Sequence, residues 1–160
     1  MHSIPETYFL KYAFPCAFII REKEEINENK LKELETAAIN NIPLTRTELE
    51  KIFYRAFEKI ERFAKETNRN KWDINLIRNY FLKQHNKEIE EGKGFYATAP
   101  PTIKELSKVY IGKVLEKNND ILTIKTEKGE RKVLNHLVPE AQIGNNITIH
   151  YGYGIEIIEE

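Results

Sequence analysis

The sequence predicts an α+β protein: a helical bundle over residues 1–98, a linker over 99–107, and a small five-stranded β-barrel over 108–160. Two changes of rhythm predict it. Up to Gly92 the apolar residues recur every three or four positions, the spacing of a helix with one buried face. After Ser107 they alternate, the spacing of a strand whose side chains point to opposite faces. Between the two regimes stand Gly92, Gly94 and the pair Pro100-Pro101, and adjacent prolines favour an extended link.

The first helix starts at Ser3-Ile4-Pro5-Glu6, where Ser3 can cap, Pro5 suits an early helical position and Glu6 completes a capping box. Ile4, Tyr8, Phe9 and Tyr12 follow at helical spacing until Pro15. Cys16 to Ile20 fits a buried helical turn or a short strand, with helix favoured. Leu31, Leu34, Ala38 and Ile42 form a second stripe, ended by Asn40-Asn41 and Pro43. Thr45-Arg46-Thr47-Glu48 is another capping box, and it opens the clearest helix of the chain. Leu49, Ile52, Phe53, Ala56, Phe57, Ile60, Phe63 and Ala64 share one face of it. A further helix runs from about Asp73 to Gly92. The aromatic stripes of these helices read as core packing. In the last third, strand patterns are separated by Asn118-Asn119-Asp120, Lys128-Gly129, and Val138-Pro139-Glu140 with Gly144-Asn145-Asn146, and Ile147 to His150 and Gly154 to Ile158 complete a set of five. So few residues in five strands need closure to bury their inner faces and edges.

Lys plus Arg equals Asp plus Glu at 25 each, so the chain lacks the basic excess with which general nucleic-acid binders neutralise phosphates. No apolar run approaches a bilayer span, and the longest, Ala13 to Ile20, contains Pro15 and stops at Arg21. The N-terminus has no basic segment followed by a leucine-rich core, and the single Cys16 has no disulfide partner in the chain. The expected location is cytoplasmic.

Phosphate-cradling glycine loops, zinc-spaced Cys/His patterns and nucleophile elbows are absent, and no nucleophile is paired with a base, so a binding role is expected rather than an enzyme. The candidate residues are therefore few. His150 alternates with Ile149 and is expected to face solvent or a barrel mouth, beside Tyr151, Gly152 and Tyr153. The glycines there allow close backbone approach or a bulge. Phe95 and Tyr96 lie on a glycine-hinged loop suited to docking a partner or to plugging the seam between the two parts. His2 is near a terminus, His85 reads as a solvated helical residue, and His136 reads as a structural loop residue. Cys16, flanked by Phe14, Pro15, Ala17 and Phe18, reads as a buried inert thiol.

Three segments of the last third occur in a telling order: Ile111-Gly112-Lys113-Val114-Leu115-Glu116, then Leu137-Val138-Pro139-Glu140-Ala141-Gln142-Ile143-Gly144-Asn145, then Ile149-His150-Tyr151-Gly152-Tyr153-Gly154-Ile155-Glu156. Together they resemble the HypC/HupF family of small hydrogenase maturation chaperones, over residues 108–160. The resemblance implies an OB-like barrel that docks on a partner maturation protein or metalloenzyme precursor and helps deliver iron, as transient cargo, to a hydrogenase large subunit. It gives His150 the place of the family's functional histidine. The expected partner-binding residues are His150 with its neighbours Tyr151, Gly152 and Tyr153 and, from the reading of the loop, Phe95 and Tyr96. The family's N-terminal cysteine has no counterpart, since position 2 is His2. Cys16 with His150 is the remaining candidate metal pair, and no resident cofactor is implied. The alternative use of an OB-like barrel is nucleic-acid binding, with Tyr110, Tyr151 and Tyr153 as stacking platforms.

Overall fold

The structure, a computed structural model, describes residues 4–92 and 94–159, with the side chains of 94 and 95 excepted. Helices precede a closed five-stranded barrel, so the α+β architecture is as expected. The chain divides into two units, Met1–Phe81 and Leu82–Glu160. No helix among the described residues is long and apolar enough to cross a membrane.

The first unit contains α1 (Pro5–Ala13), α2 (Ala17–Glu22), α3 (Glu28–Asn40), α4 (Arg46–Ile52), α5 (Tyr54–Thr67) and α6 (Ile74–Asn79). Ser3, the expected first cap, lies outside the described residues; α1 begins after Ile4 with Pro5 in its first turn. The ambiguous stretch at Cys16 is helical, a 3₁₀ turn (Phe14–Cys16) running into α2. Three helices start on side-chain caps: Asn27, Thr45 and Asp73 accept from the backbone N–H of Lys30, Glu48 and Leu76. Asn41 and Asn68 stop α3 and α5 in the left-handed conformation, which asparagine tolerates better than most residues. The long helix expected after Thr45 breaks once, at Phe53 (φ −101°, ψ 41°), and the ring at the break is buried edge-on to Phe9. Phe9 is the hub of this core. The rings of Phe53, Phe57, Trp72 and Phe81 surround it at centroid distances of 4.7–6.0 Å, and such pairs add to the gain from burying their area.

The expected helix after Asp73 passes from α6 through a π turn (Tyr80–Gln84), within which the second unit begins at Leu82, into α7 (His85–Glu90). A 3₁₀ turn (Gly94–Ala97) and α8 (Pro101–Ser107) follow. Helix α8 occupies the segment expected to be an extended link. Pro100 is extended (ψ 152°), but Pro101 takes the first helical position, where its missing N–H costs nothing and its fixed φ is already helical.

The barrel comprises β1 (Val109–Asn118), β2 (Ile121–Thr126), β3 (Gly129–Leu134), β4 (Asn146–His150) and β5 (Tyr153–Ile158) in the closed order β1-β2-β3-β5-β4. All pairs are antiparallel except β3 with β5, which closes the cylinder in parallel: the OB-like arrangement. Val114, Leu122, Ile124, Val133, Ile147 and Ile149 fill it, and Val138 and Ala141 from the β3–β4 connection join the same core. That connection is tied to β1: Val114 N–H donates to Asn145 O and Gly144 N–H to Val114 O, both at 2.9 Å. At Gly112 the packing against β2 leaves no room for a side chain. A Cβ there would lie 2.4 Å from Ile124 Cγ2 and 2.8 Å from the carbonyl oxygen of Lys125.

Candidate functional site

Strand β4 puts Ile147 and Ile149 into the barrel and therefore His150 on its outer side, as alternation requires. The expectation of an exposed ring is corrected: His150 has no solvent-accessible surface. Helix α7 lies over this part of the barrel. The His85 ring stands edge-on to His150 at 5.0 Å between centroids and 85° between planes. His85 is itself 9% exposed, so it is not the solvated helical residue its neighbours Gln84 and Lys87 suggest. A signal for this was present: Phe81, His85 and Ile89 are spaced by four, which places His85 on the buried stripe.

Asn86 clamps the same helix to β1. Its side-chain amide donates to Val109 O and accepts from Val109 N–H, each at 2.8 Å. Both backbone groups of Val109 point away from β4, and β2 begins pairing with β1 only at Lys113. The carboxamide of Asn86 thus stands where a peptide group of a neighbouring strand would stand. Glu90, one turn further on, pairs with Lys108. Nothing in the sequence pattern marks Asn86, because a polar residue in a charged helical stretch reads as solvated.

The β4–β5 turn carries the other expected binding residues, and it is fastened rather than free. Tyr151 adopts a left-handed backbone (φ 54°), unusual for a bulky residue, and contacts on every side hold it there. Its N–H donates to Leu106 O at 3.1 Å. Its carbonyl accepts from Arg131, a side chain that shares the inward face of β3 with Val133. Its hydroxyl accepts from Ser107 Oγ at 2.8 Å and lies 3.1 Å from the Tyr96 hydroxyl. Tyr96 is half-buried and tied to the turn, while the side chain of Phe95 lies outside the described residues. The two glycines differ. A Cβ on Gly154 would press on Ile147 and Val138 at 3.0 and 3.1 Å, whereas Gly152 has open space around it.

Beside this turn, polar groups form a chain from α8 into β1. Tyr110 donates to Glu105, which also pairs with Lys108. Burial, and then the Glu105 hydrogen bond, push the Tyr110 phenol up to about 12. The same bond, followed by that from Lys108, holds the Glu105 carboxyl below its ordinary value. Burial lowers the pKa of Arg131, with Tyr110 and Glu105 acting in the opposite direction. The hydroxyls of Tyr110 and Tyr151 are thus engaged by hydrogen bonds; Tyr110 is buried, and Tyr151 and Tyr153 are half-buried.

Cys16 belongs to the helical unit and His150 to the barrel unit. Cys16 is half-buried rather than buried; desolvation pushes its thiol up to about 12 against the pull of Lys59. His136 pairs with Asp120 at 3.0 Å and ties the β3–β4 connection to the β1–β2 turn. His2 lies outside the described residues. In comparison with known proteins, no family model matches the chain and no curated protein does.

Proposed function

We propose that the barrel unit is a protein-docking module of an assembly factor that serves the maturation of a metalloenzyme, hydrogenase being the case the sequence resemblance suggests, and that it works by binding rather than by catalysis. One observation carries the reading. The three resembling segments, far apart in the chain, form one continuous part of the barrel: β1, the connection bonded to Val114, and the β4–β5 hairpin paired with β1. In this reading His150 keeps the place of the family's histidine as a group shielded by α7, and docking falls to side chains that reach solvent. A transition-metal cargo would be met by the imidazoles of His150 and His85, whose ligating nitrogens lie within 4.8 Å of one another. The engaged tyrosines and the balanced charge argue against nucleic acid as the partner.

The test is capture of the tagged full chain from its native host, with co-eluting proteins identified by mass spectrometry. The expected result is enrichment of a metalloenzyme precursor or of a maturation protein over a mock capture. Repeated capture without either overturns the proposal.

A further inference from the structure

The outer side of β1 beyond Val109 carries Ile111, Lys113 and Leu115, and among the described residues no helix of this unit is hydrogen-bonded to these three. Ile111 is 48% exposed and Leu115 39%. Lys113 is exposed between them and stands directly opposite Lys125 of β2, which is exposed too. Like charges directly opposite across strands destabilise a sheet. Neither ammonium has an ion-pair partner among the described residues, and although Glu130 faces Lys125 across β2 and β3, the two form no salt bridge. Ile143, the most exposed large apolar residue among the described residues of the barrel at 65%, precedes Gly144 on the connection bonded to Val114. Two cations set against each other between partly exposed isoleucine and leucine side chains, with Glu116 at the far end of the row bonded to Thr123, are matched by an acid flanked by apolar groups.

Building on the docking reading above, we infer that this β1–β2 face receives a partner protein segment that places a carboxylate between apolar side chains. The carboxylate settles between Lys113 and Lys125, and the apolar side chains cover Ile111 and Leu115. Charge complementarity fixes the register of the segment, and the removal of apolar surface from water adds to its affinity.

The experiment uses the full chain, isotope-labelled for NMR, and three probes: a short peptide alternating leucine and aspartate, its leucine and lysine counterpart, and a thymidine oligonucleotide. The acidic peptide is expected to shift the amide signals of Ile111 to Leu115 and of Lys125, and the basic peptide to leave them in place. The double variant Lys113→Glu/Lys125→Glu, altered only at exposed positions, is expected to exchange the two preferences. Lys113→Glu alone is expected to raise the melting temperature, because it turns a repulsive cross-strand pair into an attractive one. Indifference to peptide charge, a response confined to the oligonucleotide, self-association through this face in place of peptide binding, or a lowered melting temperature overturns the inference. Should capture succeed while the peptides fail, the docking function stands and this face is wrong; should the peptides bind while capture fails, the reverse holds.

Discussion

Strand β1 meets two different surroundings along one outer side. At its start, Val109 and the neighbouring His150 are buried beneath α7, and the Asn86 carboxamide takes the place of a missing strand. Two and six residues on, Ile111 and Leu115 are bare and Lys113 faces another lysine. Both stretches alternate up to Val114, after which a bulge at Leu115 shifts the register. What separates them is the helix, which arrives by a π turn and leaves at Gly92, a glycine with φ of 69°. The difference teaches that on a closed barrel the inward positions report how the cylinder is built, while the outward positions report what lies against it. An outward residue covered within the chain serves the fold, and one left bare is available to another molecule.

The inner side sets the scale for testing this division. Gly112→Ala is expected to cost most, about 2–3 kcal/mol in urea unfolding, because the new Cβ meets the β2 backbone as well as the Cγ2 methyl on the stiff β-branched carbon of Ile124. A cost near zero would mean that β1 and β2 are further apart than described. Next comes the covered end. Asn86→Ala leaves the N–H and C=O of Val109 without their partner and is expected to cost about 2 kcal/mol. It should also speed acylation of His150 by diethylpyrocarbonate, read by peptide mass mapping; an unchanged rate would show that α7 is not what shields the ring. Tyr151→Phe removes the hydroxyl shared with Ser107 and Tyr96 and should cost about 1 kcal/mol, with the left-handed turn retained. The smallest effect is expected at the bare end, where Ile111→Thr should stay within about 0.5 kcal/mol of the parent. A loss as large as that at Asn86 would mean that Ile111 is covered after all and would erase the contrast between the two ends.

How much of this was legible in the sequence follows from the same division. The change of rhythm after the double proline announced the barrel, since inward positions such as Val114, Leu122, Ile124 and Ile149 must be apolar for the cylinder to close. Thr45 and Asp73 announced their helices because a cap is a local event. The burial of His150 was not legible, because alternation gives only the side of the sheet and says nothing of a helix laid across it from another part of the chain. The roles of Asn86, Ser107 and Arg131 were hidden for the same reason: each is a polar residue whose partner is remote in sequence. Helix α8 was hidden by a rule applied one residue too broadly, since of two adjacent prolines only the first must be extended. The resembling segments proved rich in residues that the barrel needs for its own construction, Gly112, Val138 and Gly154 among them, so their agreement speaks first to the fold.

The central claim is that the barrel offers its β1–β2 face to a partner while α7 keeps His150 covered. The most direct measurement is an NMR titration of the labelled full chain with the partner recovered by capture. The account predicts signal changes concentrated at Ile111, Lys113, Leu115 and Lys125, with His150 and Asn86 unmoved in the first complex. Changes centred instead on His150, Tyr151 and Tyr153, with the β1–β2 face silent, would contradict it.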